Sequence, residues 1–489
     1  MVERVRVAIV GTGFSGLCVA ARLKRSGEDS FLMFEQASEV GGTWRDSVYP
    51  GCACDVPSHL YSLSFAGSYP WSGNYGSRSE IQSYTKSVFE EEGLRPHLRL
   101  QTRVSQARYD SDLREWELTL QGADGPHPLR ARFLVLGLGP LRVPNYPKIE
   151  GLDSFEGECF HSARWNHEAD LKGRGIAVVG TGASAVQIVP QLASQASRLT
   201  LFQRTPSWIA PRNDRLFGSL ERGLYHRFPW TAKLRRLLIY LRMELLAYGL
   251  TRHPRALELV AFSLGAYRRT QFPQDPEMFQ ALKPPYQPGC KRILVSSDFY
   301  PALHRPNVTL VQGALERVEG NELVAADGTR HRCEVLVLCT GYDVSKFLAP
   351  LEVFGREGRE LHREWESDAN AYLGTVASGY PNLFVMLGPN TGLGHSSLIY
   401  MMECQTRFIL ACLSEVKRRG ASSLEVKAGS QRAYNEKLQQ RLGGCVWSQG
   451  GCNSWYLDHE GVNRTLWPGF TFEYWWRTRK PNVQHFEFS

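Results

Sequence analysis

The chain has 489 residues, a formal net charge of +8, a hydrophobic fraction of 43%, 45 glycines and 26 prolines. At about 100–200 residues per domain this length suggests roughly three domains with sizeable cores, and the even spread of glycine and proline excludes a low-complexity chain. Lysine and arginine are scattered rather than blocked, which ranks nucleic-acid binding low and leaves a modest preference for anionic ligands, while no uninterrupted apolar run of about 18 residues exists to span a membrane.

The 11 cysteines follow no zinc spacing, Cys52-Ala-Cys54 being a CxC. Reduced, buried or half-buried thiols in a reducing cytosol, and no metal site, are expected. Met1-Val-Glu-Arg-Val-Arg runs straight into a strand with no apolar core and cleavage site, so a cytoplasmic chain without a secretory leader is expected.

In chain order, Val5 to Val10 reads as a buried parallel strand entering Gly11-x-Gly13-x-x-Gly16. A helix follows over Phe14 to Ser26, stopped by Gly27, and a second strand from Ser30 to Phe34 ends at Glu35. Gly11 makes the tight turn, Gly13 admits a pyrophosphate and Gly16 allows helix–strand packing, with the helix N-terminus facing the phosphates. Glu35 stands 19 residues after Gly16, where a carboxylate accepts from ribose hydroxyls. Instead of a regular helix, Gly41-Gly42-Thr43-Trp44 and then Tyr49-Pro50-Gly51 to Asp55 follow, a glycine- and aromatic-rich loop suited to an isoalloxazine ring, so the first site is assigned to FAD.

Gly122 to Gly125 separates two expected strands, Trp116 to Leu120 and Ala131 to Leu136, and Leu141 to Pro147 reads as a crossover. An aromatic-rich loop at residues 155–166 then lies between two glycine patterns, where it is expected to couple them. Gly175 to Gly180 is a strand into the second pattern, Gly180-x-Gly182-x-x-Ala185, with a helix from Ser184. The next strand, Leu199 to Phe202, ends in Gln203-Arg204-Thr205 instead of an acid, and an arginine there favours a 2′-phosphate, so the second site is expected to take NADPH through Arg204 and Thr205.

Residues 214–289 break the α/β rhythm. Leu234 to Ala247 has leucines at helical spacing with Arg235, Arg236 and Arg242 between them; a packed helical insert is the preferred expectation, with a weak membrane or oligomer contact left open. The alternation returns with strands at Ile293 to Val295, Val308 to Val311 and Val335 to Leu338, and Thr340-Gly341 echoes the first crossover. Asn382 to Leu387 leads into the loop Gly388 to Ser397 and a helix to Arg419 capped by Gly420. His395 in that loop is expected to be a hydrogen-bonded structural residue. Gly443 to Gly451 is expected to be a mobile lid on composition.

The fold class is thus α/β, with two Rossmann-like dinucleotide-binding domains and a helical insert in the second. The FAD domain is expected over residues 1–145 and 344–489, the NADPH domain over 146–213 and 290–343, and the insert over 214–289.

Three motifs make the chain resemble the type I Baeyer–Villiger monooxygenases, within the class B flavoprotein monooxygenases. Phe155-x-Gly157-x-x-x-His161-x-x-x-Trp165 fits their fingerprint, with Asn166 where Pro or Asp is usual. Gly41-Gly42-x-Trp44 with Tyr49-Pro50-Gly51-x-x-x-Asp55 fits a second pattern, and the paired Rossmann motifs fit in order; Gly137-Leu-Gly139 replaces the more usual Ala-Thr-Gly. The resemblance implies FAD- and NADPH-dependent insertion of one oxygen atom of O₂ beside a ketone carbonyl, through a C4a-peroxyflavin, to give an ester or lactone. It implies that Arg292 and Asp55 are catalytic, that Lys291 joins Arg204 and Thr205 at the 2′-phosphate, and that Trp455 contacts the nicotinamide nucleotide. Phe155, Gly157, His161 and Trp165 would form a coupling loop rather than an acid–base centre. A heteroatom oxygenase for amines or sulfides and a non-oxygenating flavin–pyridine nucleotide reductase are the alternatives. A ketone and O₂ are the expected partners of a monomer or weak homo-oligomer.

Overall fold

The computed structural model describes residues 2–67, 69–122 and 125–489. The turn expected between Gly122 and Gly125 falls on Ala123 and Asp124, outside the described residues.

The first sheet has eight strands and grows from Glu3–Val10. That strand pairs in parallel with Phe31–Phe34 on one side and with Gly125–Leu136 on the other, with Val10 opposite both Phe34 and Leu136. Val7, Ala8 and Ile9 are fully buried, as expected of a strand covered on both faces. The helix Phe14–Arg25 returns across it, so close that a Cβ on Gly16 would lie 1.9 Å from the Gly11 carbonyl oxygen. The sequence reading did not anticipate the helix Arg78–Glu91, capped by the Ser77 hydroxyl accepting from the Glu80 amide, or the strand Arg103–Asp110. That strand extends the sheet antiparallel to Glu115–Gly122, where Trp116, Leu118 and Leu120 form the inner face.

The chain leaves this sheet and returns to it side by side. The Asn145 amide donates to the Gly341 carbonyl at 2.9 Å, and the Thr340 hydroxyl donates to the Asn145 carbonyl at 2.6 Å. Between them lies a second, all-parallel sheet in the order Val308–Gln312, Arg198–Gln203, Gly175–Val179, Val335–Leu338, Glu158–His161. The aromatic stretch at 155–166 is therefore not a free loop: its residues Glu158–His161 form the edge strand of this sheet, followed by a single helical turn, Ser162–Arg164. After the return, Glu352–Phe354 and Leu383–Val385 rejoin the first sheet, and the helix Leu398–Arg419 packs on Phe14–Arg25 before ending at Gly420, whose φ of +65° is the left-handed cap.

Three expectations are overturned. The insert is helical, with Ser219–Arg227, Pro229–Thr251 and Leu257–Gln271 as its longer helices, but its main apolar stripe is not packed: Leu234, Leu237, Leu238, Leu241 and Leu245 are exposed while Arg235 and Arg236 point inward. The glycine-rich stretch at 443–451 is not a lid. It contains the turn Val446–Gln449, and Val446 and Trp447 are core residues, because bare backbone lets Gly394 lie against the Trp447 ring and Gly450 against Cys290. The cysteines are not all reduced: Cys290 and Cys452 form a disulfide across 162 positions, while the other nine, mostly buried, are free.

Candidate active site

The first glycine loop faces the second glycine motif. A Cβ on Gly42 would stand 3.0 Å from the Gly13 Cα, so two stretches of bare backbone line one slot. Glu35 sits buried at the end of its strand, accepting from the Thr12 hydroxyl at 2.6 Å and the Ala37 amide at 3.0 Å, with the Arg45 guanidinium 3.0 Å away. Thr43 opens the short turn Thr43–Asp46, and the Trp44 indole donates to the Tyr61 hydroxyl at 2.9 Å, which fixes its ring beside the slot.

The loop that follows docks on the second nucleotide unit. The Tyr49 hydroxyl donates to the Gln187 side-chain oxygen at 3.1 Å, and the Gln187 amide donates back to the Ala53 carbonyl at 2.9 Å. Gly51 is the contact point: its φ is +78°, and a Cβ there would lie 2.7 Å from the Gln187 carbonyl oxygen. Gln187 belongs to the helix Ala183–Ala193, which begins just after Gly182. Burial pushes the Cys52 thiol up to about 11 and the Cys54 thiol higher still, so neither is a thiolate at neutral pH.

Asp55 ends this loop and meets Arg292 from 237 positions away, Arg292 Nε donating to its Oδ2 at 2.5 Å. Arg292 Nη1 also donates to the Leu393 carbonyl at 3.3 Å, so three distant segments converge on one guanidinium. The two side chains are 27% and 29% exposed. Burial works to raise the Asp55 carboxyl, but the charge and hydrogen bond of Arg292 outweigh it and hold the group below the usual carboxylate range; Arg292 is raised in turn despite its own burial. Buried Tyr456, a residue the sequence did not single out, lies against Arg292, and burial pushes its phenol up to about 12. Trp455 packs obliquely on Tyr456 at 4.6 Å and is 51% exposed. The Cys290–Cys452 bond ties this late segment to the stretch that carries Arg292, just before the strand Leu294–Val295.

At the neighbouring position, burial and the charge of Arg204 push the Lys291 ammonium down. Among the described residues neither cation has an acidic partner, the condition of an anion site. Thr205 is placed beside them, its carbonyl accepting from the Thr181 hydroxyl at 2.9 Å. A Cβ on Gly182 would meet no protein atom within 4 Å, so the loop opens onto free space, and Ala185 packs underneath, fully buried.

In the coupling stretch, the Ala163 amide donates to His161 Nδ1 at 3.0 Å, which leaves Nε2 facing the Gly341 backbone at the crossover. Burial pushes this imidazole down to about 4, so it is neutral and suited to shaping the crossover rather than to moving protons. Phe160 packs edge-on against Trp165 at 5.0 Å, and a Cβ on Gly157 would clash with the Glu334 carbonyl at 2.2 Å. His395 is buried 3.4 Å from the Glu244 carboxylate, and neither of its ring nitrogens makes a hydrogen bond, contrary to the hydrogen-bonded role expected of it.

Residues 4–229 match the family model of flavin-binding monooxygenase-like proteins. A Baeyer–Villiger monooxygenase of Streptomyces coelicolor is 44% identical over 99% of this chain and 93% of its own. The solved complex of OTEMO with FAD and NADP superposes with a TM-score of 0.88 at 26% identity, covering all of both chains. Cyclohexanone monooxygenase from Rhodococcus sp. Phi1 bound to NADP⁺ gives 0.87 at 25% identity, again over all of both chains.

Proposed function

The chain belongs to the Baeyer–Villiger monooxygenases and uses FAD, NADPH and O₂ to turn a ketone into an ester or lactone, and we propose that Arg292, positioned by Asp55, is its catalytic charge. In the net reaction ketone, O₂, NADPH and a proton give ester, water and NADP⁺. The observation that supports this reading best is the convergence of Asp55, Arg292 and Leu393 where the first glycine slot and the Arg204–Lys291 pair meet.

The residues fit both cofactors. Gly11, Gly13, Gly16, Gly42, Thr43 and Trp44 form the slot for FAD, with Glu35 at the ribose end. Gly180, Gly182 and Ala185 receive the pyrophosphate of NADPH, Arg204, Thr205 and Lys291 its 2′-phosphate, and Trp455 its nicotinamide end. FAD, once reduced by NADPH, supplies the activated oxygen. Everything else falls to the protein. Arg292 keeps its proton throughout, since Asp55 holds it charged, and directs its free N–H groups at the negative charge that develops on the substrate oxygen. Asp55 moves no proton; it fixes the guanidinium plane. Phe155, Gly157, His161 and Trp165 set the crossover between an FAD domain at 1–145 and 344–489 and an NADPH domain at 146–213 and 290–343, with the insert at 214–289. The enzyme works in the cytoplasm as a monomer or weak homo-oligomer; no helix among the described residues is long and apolar enough to cross a membrane.

Purified protein with NADPH, O₂ and a mixed panel of ketones and thioethers tests the reading. Ester or lactone with matching oxygen uptake is expected. Sulfoxides without any ester would sink it, and peroxide release without oxygenated product would show a reductase instead.

A further inference from the structure

The helix Pro229–Thr251 carries Trp230, Leu234, Leu237, Leu241, Leu245 and Tyr248 at spacings of four, three, four, four and three. All six lie on one face, and each is between 46% and 76% exposed. Eighteen rises of 1.5 Å from Trp230 to Tyr248 make this stripe about 27 Å long. Leu220 and Leu224 in the preceding helix, and Leu259 and Phe262 in the following one, are exposed as well. A contiguous apolar surface of this extent marks a contact site.

The orientation is fixed from behind. Arg235 donates to Asn74 Oδ1 at 2.6 Å and to Glu221 at 2.8 Å, Arg236 to the carbonyls of Ser62 at 2.7 Å and His59 at 3.0 Å. The buried Glu244 carboxylate accepts from the Thr471 amide and hydroxyl at 2.9 and 2.8 Å. Rolling the leucines inward would break all of these bonds.

Charge selects the occupant. Between residues 216 and 262 the exposed charged side chains are Arg222, Arg227, Lys233, Arg242, Arg252 and Arg255 against one acid, Glu258. Lys233 stands at helical spacing from Trp230 and Leu237, and Arg242 from Leu238 and Leu245, so the cations flank the apolar face on both sides. A second copy docking through the same patch would bring cation onto cation. Long basic side chains beside leucine and tryptophan suit a surface of acyl chains beneath anionic phosphates, toward which lysine and arginine snorkel. We propose that this face docks on an anionic lipid bilayer, with the helix lying in the interface.

The holoenzyme is floated with vesicles of phosphatidylcholine alone and of phosphatidylcholine mixed with phosphatidylglycerol. Partition onto the mixed vesicles at least about tenfold above the neutral ones is expected, weakening with salt. The double variant Leu237→Asp/Leu241→Asp, altered only at exposed positions, should lose the binding and keep its oxygenation of a soluble ketone; Lys233→Glu/Arg242→Glu should lose the preference for the anionic lipid. Wild-type protein that stays unbound, or variants that bind as well as wild type, would overturn the proposal. So would a wild-type dimer that the aspartates split, which would assign the face to a second copy.

Discussion

Replacing Arg292 separates the roles of the two cofactor sites. A guanidinium has five N–H donors; Asp55 and Leu393 take two, which leaves three for the substrate. Losing one preorganised donor at a developing oxyanion costs about 10²–10³ in rate, about 2.7–4 kcal/mol. Arg292→Ala removes the donors and the charge together, so ester formation should fall at least about 100-fold, even with the site partly open to solvent. Flavin reduction, followed anaerobically by stopped-flow absorbance, should stay close to the parent rate, and NADPH consumed under air should appear as hydrogen peroxide rather than ester. Asp55→Ala leaves the charge but frees its direction. Breaking a fully buried ion pair costs about 3–5 kcal/mol, and with both side chains more than a quarter exposed the stability loss should be nearer 1–3 kcal/mol. Ester formed by Arg292→Ala within about tenfold of wild type would refute the assignment. Equal losses of reduction and ester formation would show that the arginine serves nucleotide binding or folding instead.

Arg204→Ala should raise KM for NADPH by about 10–100-fold, the worth of one hydrogen bond to a charged group, and leave NADH use nearly unchanged; equal effects on both nucleotides would show that Arg204 does not read the phosphate. His161 titrates near 4 in the fold and near 6.5 when unfolded, so its contribution is complete above about pH 6.5 and is lost as pH falls from there towards 4. His59 is shifted in the same way, and His161→Asn should therefore flatten, not abolish, the fall in melting temperature between pH 7 and 5; an unchanged slope would refute the assignment. Closing so long a loop between Cys290 and Cys452 should stabilise by about 2–4 kcal/mol, so dithiothreitol should lower the melting temperature of wild type and have little effect on Cys452→Ser.

Both nucleotide units were legible because their signals are local. A β-branched strand, three small residues at fixed spacing and the residue ending the next strand all lie within some thirty positions, and Glu35 and Arg204 could be read without knowing the rest of the chain. The pairing of Asp55 with Arg292 came only through family resemblance, since nothing local links residues so far apart. Gln187 was invisible for the same reason, as was Tyr456. Periodicity showed that Leu234 to Ala247 is amphipathic but not which face turns outward; that was decided by Asn74, Glu221 and the carbonyls of His59 and Ser62, all distant in sequence. Glycines at 443–451 suggested motion, whereas Gly450 serves close packing against Cys290 and Trp447 sits in the core. Cysteine spacing carries no information about a bond across 162 positions.

The paired hydrogen bonds between Gln187 and the loop at 49–53 pin the second nucleotide unit to the first. The carbonyl held at Ala53 is only two residues from Asp55, and Asp55 in turn holds Arg292. The helix that starts at the second glycine pattern thus shares one short span of backbone with the ion pair, and a displacement of that helix would be felt at the guanidinium through two residues and two hydrogen bonds.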